Sequence, residues 1–414
     1  MPVQWIDPDT GHRVIRLSRE DGTQSLYFNQ NAYSEDGRKL IVTTATGGIA
    51  TIDLATRELR PLVAGPVSVL VAGHKSGDVY YTKRAAGTIV FATNVNTGAT
   101  RQVVKLPPGR TVASLNADET LLAGTWVEGR DPPAPRGSGL PGTDARFGQP
   151  NYEAAGPDGK PMTYADAKDL RLHNTLMATR AGAPRVLFTV NTKTGAVKDI
   201  LREHEWLNHL QFSPTDPTLL MFCHEGTWHE VDRVWTIRTD GTDLKKLHTR
   251  TMNMEIAGHE FFSADGAAIW YDLQTPRGQD FWLAGYWVAT GKRTWYHLQR
   301  NEWSVHFNVS PDGSLFAGDG GDSEMVARAP DGKWIYLFHP ERVPDVAGVK
   351  AANAESLIDA GIFKAERLVN MSKHDYRLEP NVTFTPDMKW IVFRSNMLGP
   401  THVYAVEIAK AGKR

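Results

Sequence analysis

The chain has 414 residues and carries 46 lysines and arginines against 47 acidic residues, a formal net charge of −1. That balance excludes the basic surface of a nucleic-acid-wrapping protein, and no apolar run reaches the length of a membrane span. The opening MPVQWIDPDTGHRV lacks the basic and apolar pattern of a secretion signal. The expected home is therefore the cytoplasm, or the periplasm if a signal has been removed, and the oligomeric state is left open.

In chain order, a strand-like HRVIRLSRE comes first, and then one phrase recurs. It reads AYSEDGRKLIVTT, QFSPTDPTLLMFC, FFSADGAAIWYDL, NVSPDGSLFAGDG and TFTPDMKWIVFRS: an apolar strand, a turn rich in Ser, Asp and Gly, and a second strand. A second phrase of strand, turn and strand follows, as in IATIDLATRELRPL, VLFTVNTKTGAVKDI and VWTIRTDGTDLKKL. The two phrases together make a four-stranded antiparallel unit, one blade of a β-propeller. First strands begin near Ala32, Val67, Ala113, Gln211, Phe261, Asn308 and Thr383, so the fold class is all-β, a seven-bladed propeller in one domain over 1–414. The N-terminal strand is expected to join the last blade and so remove a sheet edge. Two spacings exceed a plain blade and place insertions at about 128–182 and 319–365. The first, rich in Pro and Gly, reads as a long ordered loop or lid; the second holds DVAGVKAANAESLIDAGIF, which suits a short helix. The single cysteine, Cys223 in LLMFCHE, excludes an internal disulfide and reads as a buried strand thiol.

The repeat serves as a ruler. Four residues before the Ser or Thr of each clear turn (Ser34, Ser213, Ser263, Ser310, Thr385) stand Gln30, His209, His259, His306 and Asn381. First strands of propeller blades line the central channel, so these side chains are expected to form a polar ring. Glu379 lies two residues before Asn381, and strand alternation would aim both the same way. An imidazole, a carboxylate and an amide oxygen suit a divalent cation such as Mn2+, Ca2+ or Mg2+ better than a thiolate-seeking metal. In HEGTWHE the two histidines are five apart in a β context, which excludes a zinc-protease helix, but the stretch brings His224 and then Arg233 toward the ring. A guanidinium there would clamp a carboxylate. Neither a nucleophile elbow nor a phosphate loop is present.

The phrases LLMFCHEGTWHEVDRVW, AGHEFFSADG, HFNVSPDG and YFNQNAYSEDG resemble the oligogalacturonate lyases, seven-bladed propeller enzymes that split short pectic oligomers by β-elimination. The resemblance implies that His259 is the base, that His306 ligates manganese and that Arg233 contacts substrate. The family's remaining ligands, a Gln and two histidines, fall on Tyr376, Glu379 and Asn381 here, so two imidazoles become oxygen donors, which implies a harder cation, a weakly held one or a site that has stopped binding metal. His209, His224, Gln30 and Tyr376 are then expected to contact an acidic oligosaccharide. The alternatives are a lyase for another, glucuronate-containing glycan and a non-catalytic periplasmic propeller. The ring of candidate base and cation ligands favours the lyase.

Overall fold

The computed structural model describes residues 2–83, 89–129, 158–160, 162–323, 325–344 and 346–412. They form seven successive groups of antiparallel strands, the organisation of a seven-bladed β-propeller. The chain divides into two compact units, Leu17–Thr249 with Pro400–His402, and Met1–Arg16 with Arg250–Gly399 and Val403–Arg414.

The recurrent turn explains why blades form where they do. In Ser263-Ala-Asp-Gly the hydroxyl donates to Asp265 Oδ1 at 2.6 Å and accepts the Ala268 amide at 2.9 Å, which closes the hairpin with local bonds alone. Ser34, Ser310 and Thr385 make the same bond to Asp36, Asp312 and Asp387. The fourth turn residue needs a left-handed backbone, supplied by Gly266 at φ 70° and Gly313 at φ 73°. In the last blade Met388 takes that position at φ 59°.

The unit built on Leu17–Thr249 contains four blades, whose first strands include Val67–Ala72, Thr111–Leu115 and Trp206–Phe212. Its core between blades is mostly aliphatic with two phenylalanines, as where Leu187, Leu207, Phe212, Leu220, Phe222 and Ile237 pack together. The stretch of the first insertion expected to be a loop or lid falls almost wholly outside the described residues, and the described part adds an element that was not expected. This is a helix, Tyr164–Arg180, capped by Thr163, whose side chain accepts the Asp166 amide at 3.2 Å. Leu172 and Leu176 are buried, and Gly226 of the fourth blade lies so near that a Cβ there would meet Leu176 Cδ2 at 2.8 Å. The Pro- and Gly-rich part of that insertion lies outside the described residues.

In the other unit the blade Ile256–Phe262, Ala268–Gln274, Phe281–Trp287 and Arg293–Leu298 is followed by a blade whose last two strands are Trp334–Arg342 and Ile358–Asn370. The second insertion forms no α-helix among the described residues; it has two 3-10 turns, Val346–Gly348 and Ala354–Ser356, and then Ile358–Asn370. Its β-branched start pairs in parallel with the preceding blade, Arg293 with Ile358 through His297 with Ile362, so the two blades share one eight-stranded sheet. An aromatic core of Trp270, Tyr296, Phe316, Phe338 and Phe363 fills the space between their faces. As expected, His12–Arg16 pairs with His402–Lys410 and completes the last blade. Buried His12 fixes the junction through the Glu407 carbonyl at 2.9 Å and Glu366 at 3.2 Å.

Candidate active site

Two imidazoles meet at the first strands of the fifth and sixth blades. Gly258 pairs with Asp272 and Phe261 with Trp270, so His259 and Glu260 together stand opposite Tyr271 alone. This bulge holds His259 at φ 48°, a left-handed backbone that costs a non-glycine residue roughly 1–2 kcal/mol, and it re-aims the side chain. His259 Nδ1 lies 3.0 Å from Asp272 Oδ1. In the next blade Phe307 pairs with Gly318, which sets His306 beside Asp319 across the hairpin. Asp319 accepts the His306 amide on Oδ1 and its Nδ1 on Oδ2, both at 2.8 Å. The two rings touch edge to face with centroids 4.7 Å apart. His306 and Asp319 are wholly buried, whereas the His259 side chain keeps 12 % of its surface exposed.

The segment before the last blade completes this cluster by a route that strand alternation does not describe. Residues 379–382 are irregular, the strand beginning only at Thr383. Asn381 turns at φ 56°, donates its amide to Asp319 Oδ2 at 3.1 Å and sends Nδ2 to the Glu379 carbonyl at 2.9 Å. Glu379 Oε2 stands 3.8 Å from His306 Nε2. That span is too long for a hydrogen bond, but it suits two ligands each roughly 2.0–2.6 Å from a shared cation. With the Nδ1 proton given to Asp319, the His306 lone pair is on Nε2, the arrangement of carboxylate-backed metal ligands. The Oδ1 of Asn381 is the end of its amide that a cation would use. His306 and Glu379 thus stand at a spacing that a hard or borderline divalent ion could bridge. Tyr376 takes another role from the one expected: it is 2 % exposed and donates its hydroxyl to the Asp319 carbonyl at 3.0 Å, so it supports the aspartate. Burial first and the Asp319 charge second push its phenol far above the usual range.

In the other unit, His209 also sits on a bulge, at φ 47°. Its Nε2 lies 2.9 Å from Glu225 Oε2, and Arg233 Nη1 donates to Glu225 Oε1 at 2.8 Å. Burial would raise the Glu225 carboxyl, but the Arg233 charge and the His209 contact outweigh it and hold it well below the ordinary carboxylate range. Arg233, 4 % exposed, thus engages Glu225 in place of the substrate carboxylate expected of it. His224 is not beside His209. It neighbours Glu225 on the strand Leu219–Glu225 and so faces the opposite side, where it contacts Glu203 at 2.8 Å and packs on Trp235. Gln30 spends its amide on the backbone, accepting from Tyr27 and donating to Leu70 at 2.8 Å, which makes it a clip between blades.

Asp272, Asp319 and Glu225 are absent from the expected site because single acidic residues are common and only cross-strand pairing selects them. One signal was available: His259 to Asp272 and His306 to Asp319 share a spacing of thirteen residues in successive blades.

Known proteins resemble the chain over nearly its whole length. The chain is 25 % identical to an oligogalacturonate lyase of Dickeya dadantii over 98 % of its length and 95 % of the relative's. It is 24 % identical to an oligogalacturonide lyase of Pectobacterium atrosepticum, with the same coverage. A solved oligogalacturonate lyase in complex with manganese superposes with a TM-score of 0.73 at 23 % identity, covering 98 % of this chain and 96 % of that one, which shows the shared fold. The family model described as oligogalacturonate lyase matches residues 158–411, well over half of the chain and all of the His259, His306 and Glu379 cluster, and the chain belongs to that family.

Proposed function

We propose that this protein cleaves short oligogalacturonides by β-elimination, leaving an unsaturated uronate at the new non-reducing end. The observation that carries the reading is His259: it is the exposed member of an imidazole pair whose buried member faces Glu379 across a cation-sized gap.

The reaction removes the proton at C5, alpha to the uronate carboxylate, and expels the oxygen at C4. That proton is weakly acidic while the neighbouring carboxylate keeps its full charge. His306, Glu379 and Asn381 would hold a divalent cation, which when bound withdraws charge from a uronate carboxylate. The protein's own work is then positioning and proton transfer. His259 presents an imidazole at the accessible edge of the cluster and takes the C5 proton, with electrons flowing into the C4–C5 bond as the C4–O4 bond breaks. Asp319 fixes the His306 ring and the Asn381 backbone at once, so the ligand side of the cluster is set before substrate arrives. Since Arg233 is committed to Glu225, charge neutralisation is assigned to the cation that His306, Glu379 and Asn381 would hold.

The test is incubation with di- and trigalacturonate, read by the new absorbance of the unsaturated product. Turnover that depends on His259 supports the reading. No new absorbance from folded, cation-supplied protein on galacturonides, with turnover on glucuronate-containing oligomers instead, would reassign the substrate; none on either would remove the activity.

A further inference from the structure

We infer that Asp272 is a positioning residue for proton abstraction, selecting the tautomer of His259 that can act as base; this rests on the lyase reading above. The geometry is specific. Asp272 is 4 % exposed and lies across the hairpin from the bulge, with Oδ1 at 3.0 Å from His259 Nδ1. An ionised carboxylate only accepts hydrogen bonds, so the proton of the neutral imidazole is on Nδ1 and the lone pair on Nε2. The bulge makes the pairing demanding, because His259 holds φ 48° against its own preference and its ring needs a second anchor to stay aimed.

The same device is repeated one blade later. His306 is gripped at Nδ1 by Asp319, again thirteen residues on, and the two rings pack edge to face. One arrangement thus leaves an Nε2 lone pair on each of two adjacent rings. The buried one is suited to ligate a cation and the exposed one to receive a proton. When His259 takes the C5 proton on Nε2 it becomes an imidazolium, and the Asp272 carboxylate, already in place at Nδ1, balances the new charge without rearrangement. Asp272 touches no reacting atom; it acts through the ring.

The test is Asp272→Asn in the full chain, a near-isosteric change whose amide can donate to Nδ1 and so favour the opposite tautomer. We expect kcat on trigalacturonate to fall about 10²–10⁴-fold, the range seen when a base loses its correct tautomer, with KM within about twofold of wild type. Asp272→Glu, which keeps an acceptor, should retain more kcat than Asp272→Asn, and supplies the comparison if the amide variant folds poorly. In the His259→Ala background, Asp272→Asn should add no further loss. Nitrogen-15 NMR of the ring should show the His259 proton moving from Nδ1 to Nε2 in Asp272→Asn, a change that a merely structural role would not produce. An Asn variant with wild-type kcat, an unmoved ring proton, or an additive loss in the double variant would each overturn the assignment. Should wild type turn over no galacturonide, the lyase reading fails on its own, and the NMR shift alone then judges whether Asp272 sets the ring.

Discussion

Replacing Arg233 by methionine keeps much of the side-chain volume and removes the charge. Glu225, 7 % exposed, would then keep His209 at 2.9 Å and Asn208 at 3.2 Å but lose the bond at 2.8 Å that balances its burial. Breaking one side of a buried ion pair typically costs about 3–5 kcal/mol, because the surviving charge is left poorly compensated. For a unit the size of Leu17–Thr249, each kcal/mol moves the midpoint by roughly 2–4 °C, so Tm should fall by roughly 6–20 °C. The pH dependence gives a second reading. In wild type the Glu225 carboxyl is held below its ordinary value, so its contribution is complete above about pH 4.5 and is lost as the pH falls through the folded value. Without Arg233 that acid-side loss should shrink, and wild type and variant should converge in acid. Adding Glu225→Leu to Arg233→Met should recover much of the loss, since an apolar pair leaves no stranded charge. Differential scanning calorimetry between pH 3 and 7 measures all three. An Arg233→Met protein within about 2 °C of wild type at pH 7, less than the shift from 1 kcal/mol, would refute the pairing argument.

His259→Ala should lower kcat on trigalacturonate by about 10²–10⁴ with little change in KM, read by unsaturated-product absorbance. Exhaustive chelation should abolish turnover and lower Tm, with Mn2+ or Ca2+ restoring both; undiminished turnover would retire the cation site. His374 is buried, with Nδ1 facing Ser395 Oγ and Nε2 the Leu378 carbonyl, and burial holds its pKa down from 6.5 to about 4. The unfolded chain therefore takes up the proton first, and between about pH 6.5 and 4 this residue should remove about 3 kcal/mol of stability. His374→Gln should flatten that stretch of the calorimetric pH profile.

The blades were legible because their turns are written locally. Ser263, Asp265 and Gly266 satisfy one another within a few residues, so the motif folds alike wherever it occurs. Counting back from that turn also located His259 and His306, since both stand four residues before the turn serine, His259 inside the first strand and His306 just ahead of it. The reading failed where tertiary structure overrode local pattern. Alternation would aim Glu379 and Asn381 together along a strand, but Asn381 at φ 56° bends the chain, and Asp319 fixes its place. The helix Tyr164–Arg180 stayed hidden in an insertion, its polar residues giving no amphipathic stripe and its one local cue being the cap Thr163 with Asp166. The helix expected near 345–363 gave way to two 3-10 turns and a strand, whose start Ile358–Ile362 pairs with Arg293–His297 and, from Gly361 on, with Trp334–Arg342 as well. Glu225, Asp272 and Asp319 emerge only from pairings across hairpins.

The parallel seam between Arg293–His297 and Ile358–Ile362 bears on how the protein opens. Neighbouring blades in a propeller normally meet only through side chains, and each can fray as its own cooperative element. Here amide hydrogen bonds cross from one blade to the next, so the outer strand of one cannot detach without exposing the backbone of the other. Hydrogen exchange should report the two as a single late-opening block. The imidazole pair sits at the far margins of that block, on Ile256–Phe262 and just ahead of Phe307–Val309, so the ring contact and the seam tie the same two blades at both ends of their strands.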